Sequence, residues 1–366
     1  MGSRKNRVDT GWDKVDAVLL KAIADGAFPG AVYLVTDREE ALVERALGRQ
    51  TYATDVPPVR TDAMYDLASL TKVVVATTLA MIACDRGLLD LDAPVTGHIP
   101  EFAGGGRERV TVRHLLTHSS GLRAWRPFYE TCRSKGDVLR AICRIEPEAT
   151  PGTQAVYSDL GILLMGEILE RLWNLEIDVM ARREVLDPLG LRDTMYRPPA
   201  SLLSRIPPTE VRATWRKGLI HGEVHDENTA AMGGVAPHAG LFGTARDLGV
   251  FGRMMLNLGV HEGRRLIAGG TVGLFTRRAE VVRGSSRALG WDTRSETGSS
   301  AGGRFSLRSY GHTGFTGTSL WIDPERGIGA VLLTNRVHPT RENQKIREVR
   351  PAFHDAVMEA LSDRIA

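Results

Sequence analysis

The run Val73-Val74-Val75-Ala76-Thr77-Thr78-Leu79-Ala80-Met81-Ile82-Ala83-Cys84 carries no charged side chain, and its only polar members are Thr77 and Thr78. A segment that is apolar on every face has no side to offer water, so it reads as a helix buried in a core. It is too short to span a bilayer. Leu67-Ala68-Ser69-Leu70-Thr71-Lys72 leads straight into it, which predicts a helix over 67–87 with Gly87 as C-cap. Ser69 and Lys72 then share one face at the helix mouth, because positions i and i+3 are neighbours. Backbone N–H groups are unpaired at such an end. A serine attacks only when a base takes its proton. Lys72 can be that base only if it is neutral, so its pKa is expected to fall; a drop of about three units costs roughly 4 kcal/mol. The same residues also fit an N-capping serine followed by a surface lysine.

A chain of 366 residues can bury such a helix within one large domain or two intimate ones. Hydrophobic residues at 42% and charged residues at 25% place it among globular proteins. Lys and Arg exceed Asp and Glu by only +3, with no basic block, so no nucleic-acid partner is expected. Cys84, Cys132 and Cys143 show no CxxC spacing and read as reduced, structural thiols. The basic stretch Met1–Arg7 is not followed by an apolar segment, and Asn6 breaks the myristoylation pattern. The expected location is cytoplasmic, unless a leader was removed.

Taken in order, Trp12–Ala24 has a helical stripe. Ala31–Thr36 and Ala41–Ala46 read as a hairpin around Asp37–Glu40. Thr111 can cap a short helix, Leu160–Trp173 is a second strongly apolar helix, and Thr244 with Asp247 opens a third. Ser295–Gly303 reads as a flexible loop. Ser319–Asp323 and Ile328–Thr334 make a second hairpin, and a helix with Pro351 near its start follows. Hairpins near both ends and helices between them imply an α/β (α+β) fold, an antiparallel sheet flanked by helices. The sheet-and-helix domain would comprise residues 1–75 plus 235–366, with a mainly helical insert over 76–234. The cleft between the two is where a ligand would sit.

Two further constellations join the serine. In Val156-Tyr157-Ser158-Asp159, Tyr157 could share proton transfer with Lys72, because a phenol beside a cation ionises more easily. In Gly311-His312-Thr313-Gly314-Phe315-Thr316-Gly317-Thr318, glycines beside a strand let a ligand approach the backbone, and one N–H could serve an oxyanion hole. A half-buried tyrosine at a helix start and a glycine-rich turn are the plainer readings of the two.

SxxK on a buried helix, then Y-x-D, then H-T-G before a strand resembles the penicillin-recognising serine hydrolases, in which SxxK and KTG are signature motifs. Val110–Leu122 and Gly222–Thr244 are similar to segments of class C β-lactamase-like proteins and β-lactamase-related serine hydrolases, a group that includes penicillin-binding proteins and family VIII esterases. The resemblance covers nearly the whole chain. It implies Ser69 as acylated nucleophile, Lys72 as base partner, Tyr157 as the motif tyrosine, and an oxyanion hole from the N–H groups of Ser69 and Phe315. Asp159, His312, Thr313 and Gly314 would contact substrate. There are two departures. Asp159 stands where class C enzymes have Asn, an anion in place of an amide donor. His312 replaces Lys, so its charge would depend on pH. Both argue against an efficient β-lactamase.

Other local signals are weaker. Gly298-Ser299-Ser300-Ala301-Gly302 matches G-x-S-x-G but lacks the strand and helix a nucleophile elbow requires. His221, Glu223, His225 and Asp226 do not match H-E-x-x-H; they are expected to order a loop over the cleft with His238 rather than bind a metal. His114 and His118 read as structural. Asn335-Arg336 could read a substrate carboxylate or simply end a strand in solvent. The expected function is a serine hydrolase acting, in order, on short esters, on D-Ala or muropeptide amides, and on β-lactams. No cofactor, metal or membrane partner is expected. A ligand sensor, acylated without turnover, is the other class.

Overall fold

The computed structural model describes residues 4–212 and 215–362. Its centre is a six-stranded sheet. The strands are β1 (Gly30–Thr36), β2 (Ala41–Gly48), β3 (Asp292–Thr293), β4 (Tyr310–Thr313), β5 (Ser319–Asp323) and β6 (Ile328–Thr334). Their spatial order is β3-β4-β5-β6-β1-β2, every neighbour antiparallel. Both expected hairpins are present, and each turns on an aspartate. Asp37 Oδ1 accepts the N–H groups of Glu39 and Glu40, and Asp323 Oδ1 those of Glu325 and Arg326. An Asp side chain can mimic a backbone turn in this way.

Strand period explains the layers. Ala31, Tyr33 and Val35 of β1 face one side with Trp321, Ala330 and Leu332. That side is covered by α1 (Arg4–Ala24), through Trp12, Val15 and Leu19, and by α5 (Ile346–Ala360), through Phe353 and Val357. Val32 and Leu34 face the other side with Leu320, Ile322, Val331 and Leu333. There α4 (Ala245–Leu256) packs Leu248, Phe251, Met254 and Met255, each burial contributing about 1.5–3 kcal/mol. Gly249 allows the close approach: a Cβ there would lie 2.6 Å from Leu34 Cδ2. As expected, Thr244 caps α4 by accepting the N–H of Asp247, and Thr111 caps the short helix Val112–Leu116.

The same core continues from Val32 and Leu34 through Val74 and Met81 to Leu164 and Ile168 of α3 (Asp159–Trp173). A domain boundary drawn at residue 75 or 235 therefore crosses shared packing. Among the described residues no helix is long and apolar enough to cross a membrane.

Two expectations change. The helix predicted over 67–87 does not begin at Leu67. Ala68 has a φ of 46°, the helix opens at Leu70, and Lys72–Thr77 is π-helical before α2 (Thr78–Asp85). Thr78 Oγ1 donates to the Val73 carbonyl within the widened turn. Such π segments recur at functional sites. Gly87 does close the helix: its N–H reaches Cys84 O and that of Leu88 reaches Ala83 O, a Schellman pairing. Second, Ser295–Gly303 is latched rather than free. Arg294 donates to the carbonyls of Gly302 and Gly303, and Asp355 accepts the N–H groups of Gly303 and Arg304.

Candidate active site

The nucleophile turn is built from buried polar contacts. Leu67 N–H donates to Leu241 O, and the Asp66 carboxylate accepts the N–H groups of Ala68 at 2.9 Å and His225 at 2.7 Å. Burial raises the Asp66 pKa against those bonds. A left-handed residue other than glycine costs about 1–2 kcal/mol. At Ala68 that strain sets Ser69 at the head of the helix, facing a cleft of about 600 Å³.

Lys72 is 1% exposed. Its Nζ donates to Ser69 Oγ at 2.9 Å and His238 O at 3.1 Å, and pairs with Asp159 Oδ1 at 2.8 Å. The expectation of a lowered pKa fails here. Burial pushes Lys72 down, but the Asp159 charge, with Tyr157, outweighs it and holds the pKa above the ordinary lysine value. The lysine rests as an ammonium. Asp159 is accordingly less a free acceptor for substrate than the counter-ion of Lys72.

Tyr157 projects from a loop tied to His118 on both sides. Val156 N–H donates to His118 O, and Ser158 N–H to His118 Nδ1 at 3.1 Å. Ser158 caps α3. The Tyr157 ring lies 5.0 Å from Lys72 Nζ, 4.6 Å from the His118 ring, 5.8 Å from the His312 ring and 5.2 Å from the Arg287 guanidinium. His118 thus has the structural role expected, as does His114, whose Nδ1 accepts Thr111 N–H.

The segment after β4 is stitched to the serine turn. Gly314 N–H donates to Thr318 O, Thr316 Oγ1 to Asp66 O, and Thr318 Oγ1 to Leu67 O. A Cβ at Gly314 would come within 2.1 Å of Thr318 Oγ1 and 2.5 Å of Leu67 O, so only glycine fits. Among the described residues neither Ser69 N–H nor Phe315 N–H has an internal acceptor, as an oxyanion hole requires. Thr313 and Gly314 line the cleft beside them.

His312 departs from expectation. It is 4% exposed, and burial, then the charges of Lys72 and Arg287, hold its pKa well below the ordinary histidine value. Nδ1 lies 2.9 Å from Thr313 O, which can only accept, so Nδ1 carries the proton. Nε2 is left as a buried acceptor with no partner. His312 is therefore a neutral group, not a cation whose charge follows pH.

Arg336 is not a solvated strand end either; it is 4% exposed. Its Nε donates to Phe315 O at 2.7 Å, its Nη1 to Arg341 O and Asn343 O, and its Cζ stands 4.3 Å from the Phe315 ring centre. Burial, and next the Arg347 charge, push its pKa down to about 10. Asn335 ties Gln50 O to Pro208 O and is structural. Sequence reasoning missed Arg287, Arg347 and Arg350, which line the same cleft. Arg350 Nη2 donates to Gly314 O at 2.6 Å and Thr318 O at 2.9 Å. The one local signal is Arg347 in the first turn of α5, where the helix dipole favours acids.

The other motifs are used up in scaffolding. His225 Nε2 meets Glu210 Oε2 at 2.9 Å, Asp226 faces His238 at 3.3 Å, His221 contacts Ile206 O, and Glu223 pairs with Arg216. Among the described residues no group of three or more His, Cys, Asp or Glu could hold a metal ion. Ser300 Oγ accepts from Trp321 Nε1 at 3.1 Å.

A family model described as Beta-lactamase matches residues 15–352. The chain is 32% identical over 365 residues to an N-acetylmuramyl-L-alanine amidase of Bacillus subtilis (strain 168), covering 89% of this chain and 81% of the relative. Among solved structures it is similar to EstCE1, a hydrolase with promiscuous acyltransferase activity, at a TM-score of 0.77 and 21% identity over 96% of this chain and 99% of that one. It is likewise similar to a class C β-lactamase from Rhodobacter sphaeroides, at a TM-score of 0.72 and 20% identity over 97% of this chain and 100% of that one.

Proposed function

This chain belongs to the β-lactamase family, and from that premise we propose that it is a serine hydrolase acylated on Ser69, acting on small amides that carry a carboxylate near the scissile bond. The acyl-enzyme reading rests on the 2.9 Å contact between Lys72 Nζ and Ser69 Oγ at a helix mouth with open N–H groups. Lys72 and Tyr157 move the proton. The N–H groups of Ser69 and Phe315 hold the oxyanion, each typically contributing about 3–4 kcal/mol to the transition state.

The substrate class is carried by one observation. Arg287, Arg336, Arg347 and Arg350 line the cleft, and among the described residues none has a carboxylate within salt-bridge distance. Guanidinium groups held without counter-ions suit a carboxylate delivered by the ligand. This moves D-alanyl or muropeptide-type amides ahead of short esters, and the name of the Bacillus relative, an amidase, supports the same order. β-Lactams rank last, because neutral His312 supplies no charge on the H-T-G strand.

The test is intact-mass analysis after a fluorophosphonate probe. Wild type is expected to gain one adduct, Ser69→Ala none, and Ser300→Ala one. Label that persists in Ser69→Ala and disappears in Ser300→Ala would overturn the site. Turnover of N-acetylmuramyl-L-alanine amides and D-alanyl dipeptides is expected to exceed that of nitrocefin. A single burst without turnover on every substrate would favour the ligand sensor.

A further inference from the structure

A lysine ammonium has three N–H donors. Lys72 Nζ donates to Ser69 Oγ at 2.9 Å and the His238 carbonyl at 3.1 Å, and its charge is paired with Asp159 Oδ1 at 2.8 Å, with the Tyr157 ring 5.0 Å away. As an ammonium it has no lone pair to offer Ser69. Lys72 can take the serine proton only if it passes one on. Of the groups beside it, the serine is the proton's source and a backbone carbonyl is too weak a base. Tyr157 lies alongside, and the Asp159 carboxylate is the base held at ion-pair distance.

We propose that Asp159 is the positioning residue and proton sink through which Lys72 acts, an inference that rests on the serine-hydrolase reading and adds a fourth member to its machinery. As Ser69 Oγ bonds to the substrate carbonyl carbon, its proton moves to Lys72 Nζ, and a Lys72 proton moves to Asp159 Oδ1. The carbonyl π pair becomes the oxyanion. Charge balances: an ammonium and a carboxylate become an ammonium, a neutral carboxylic acid and an oxyanion. When the intermediate collapses, the C–N bond breaks, the leaving nitrogen takes a proton from Lys72, and Lys72 recovers one from Asp159.

The surroundings suit this role. Asp159 is the first residue of α3, where the helix dipole favours an anion, and its N–H is fixed to Ala124 O at 2.9 Å. The side chain is 19% exposed, so it is screened without being sealed. The histidines and the arginine around Lys72 cannot serve in its place. His118 and His312 are buried and kept neutral, and both feel the Lys72 charge, while Arg287 is a cation 5.2 Å from the Tyr157 ring. An asparagine at this position, as in class C enzymes, could hold Lys72 but could not accept its proton.

The experiment is the pre-steady-state burst of p-nitrophenyl acetate across acid to alkaline pH, with wild type, Asp159→Asn and Asp159→Glu, each checked for fluorophosphonate labelling of Ser69. Asp159→Asn is expected to acylate about 10²-fold more slowly at neutral pH. It should recover as pH rises, because a lysine without its counter-ion must lose a proton before it can accept one. Asp159→Glu should restore the wild-type shape of the profile. A wild-type rate and profile in Asp159→Asn would overturn the proposal. So would an equal, pH-independent loss in both variants, which would mean a purely structural role. Absence of label on Ser69 in wild type would instead remove the hydrolase reading itself, and this proposal with it.

Discussion

The floor and the wall of the cleft treat buried positive charge in opposite ways. On the floor, Lys72 is 1% exposed and has Asp159 at 2.8 Å. On the wall, Arg336 and Arg350 are held by backbone carbonyls and, for Arg336, the face of Phe315, and Arg336 is 4% exposed. A buried cation without a counter-ion is costly, and it shows: burial and the neighbouring Arg336 push the Arg350 pKa down to about 9. The floor is self-sufficient: its charge is balanced before any ligand arrives. The wall is left in deficit, a state a carboxylate-bearing substrate would relieve. Catalysis and selection are thus carried by different charges.

Substitutions can break that division. The largest effect is expected for Ser69→Ala, with hydrolysis of every substrate falling by on the order of 10⁴-fold or more, read as kcat/KM. Residual turnover near wild type would dissolve the floor as a unit. Next is Lys72→Ala, at about 10²–10⁴-fold on carboxylate-bearing amides and p-nitrophenyl acetate alike. Unequal losses would mean that Lys72 also selects substrate. A smaller and more selective effect belongs to Arg347→Gln, an exposed member of the wall. KM for carboxylate-bearing amides should rise about 10-fold, in line with a charge-assisted hydrogen bond, with p-nitrophenyl acetate unchanged. A loss on both substrates would place Arg347 in the chemistry.

A last effect, on stability rather than turnover, reports on the wall's own field. His354, fully buried, has its pKa held down to about 3 by burial and by Arg350. An unfolded histidine takes up a proton near pH 6.5, which the native state refuses, so stability is full above that pH. It is lost as pH falls from about 6.5 toward 3, at about 1.4 kcal/mol per pH unit for this group. Urea titrations should show the slope reduced by one proton in His354→Asn. An unchanged slope would mean that the wall does not exclude protons.

Features written in adjacent residues were legible in advance: both hairpins, the Thr111 and Thr244 caps, the Gly87 stop, and Ser69 beside Lys72. Each follows from turn chemistry, capping or helical spacing that neighbouring residues alone decide. The charge states were not legible. Lys72 alone predicts a lowered pKa; the opposite shift needs Asp159, which arrives at the head of a different helix. His312 reads as a titrating cation until burial and two nearby cations keep it neutral. The wall could not be read because Arg287, Arg336, Arg347 and Arg350 meet only once β6 and α5 are in place. The π turn at Lys72–Thr77 also escaped, because nothing in a run of Val, Ala and Thr distinguishes a widened helix from a regular one.

The antiparallel pairing of β1 with β6 bears on when in its life the molecule becomes an enzyme. A chain emerging from the ribosome displays the serine helix early, yet β1, paired until then only with β2, waits for β6, made long after it. Until β6 closes the sheet, Thr318 has not been stitched to Leu67 and Phe315 offers no N–H to an oxyanion. Growing chains hold the nucleophile without the means to use it until β4 to β6 have been made. The same long-range closure makes assembly slow and leaves the other edge of β1 without its partner meanwhile.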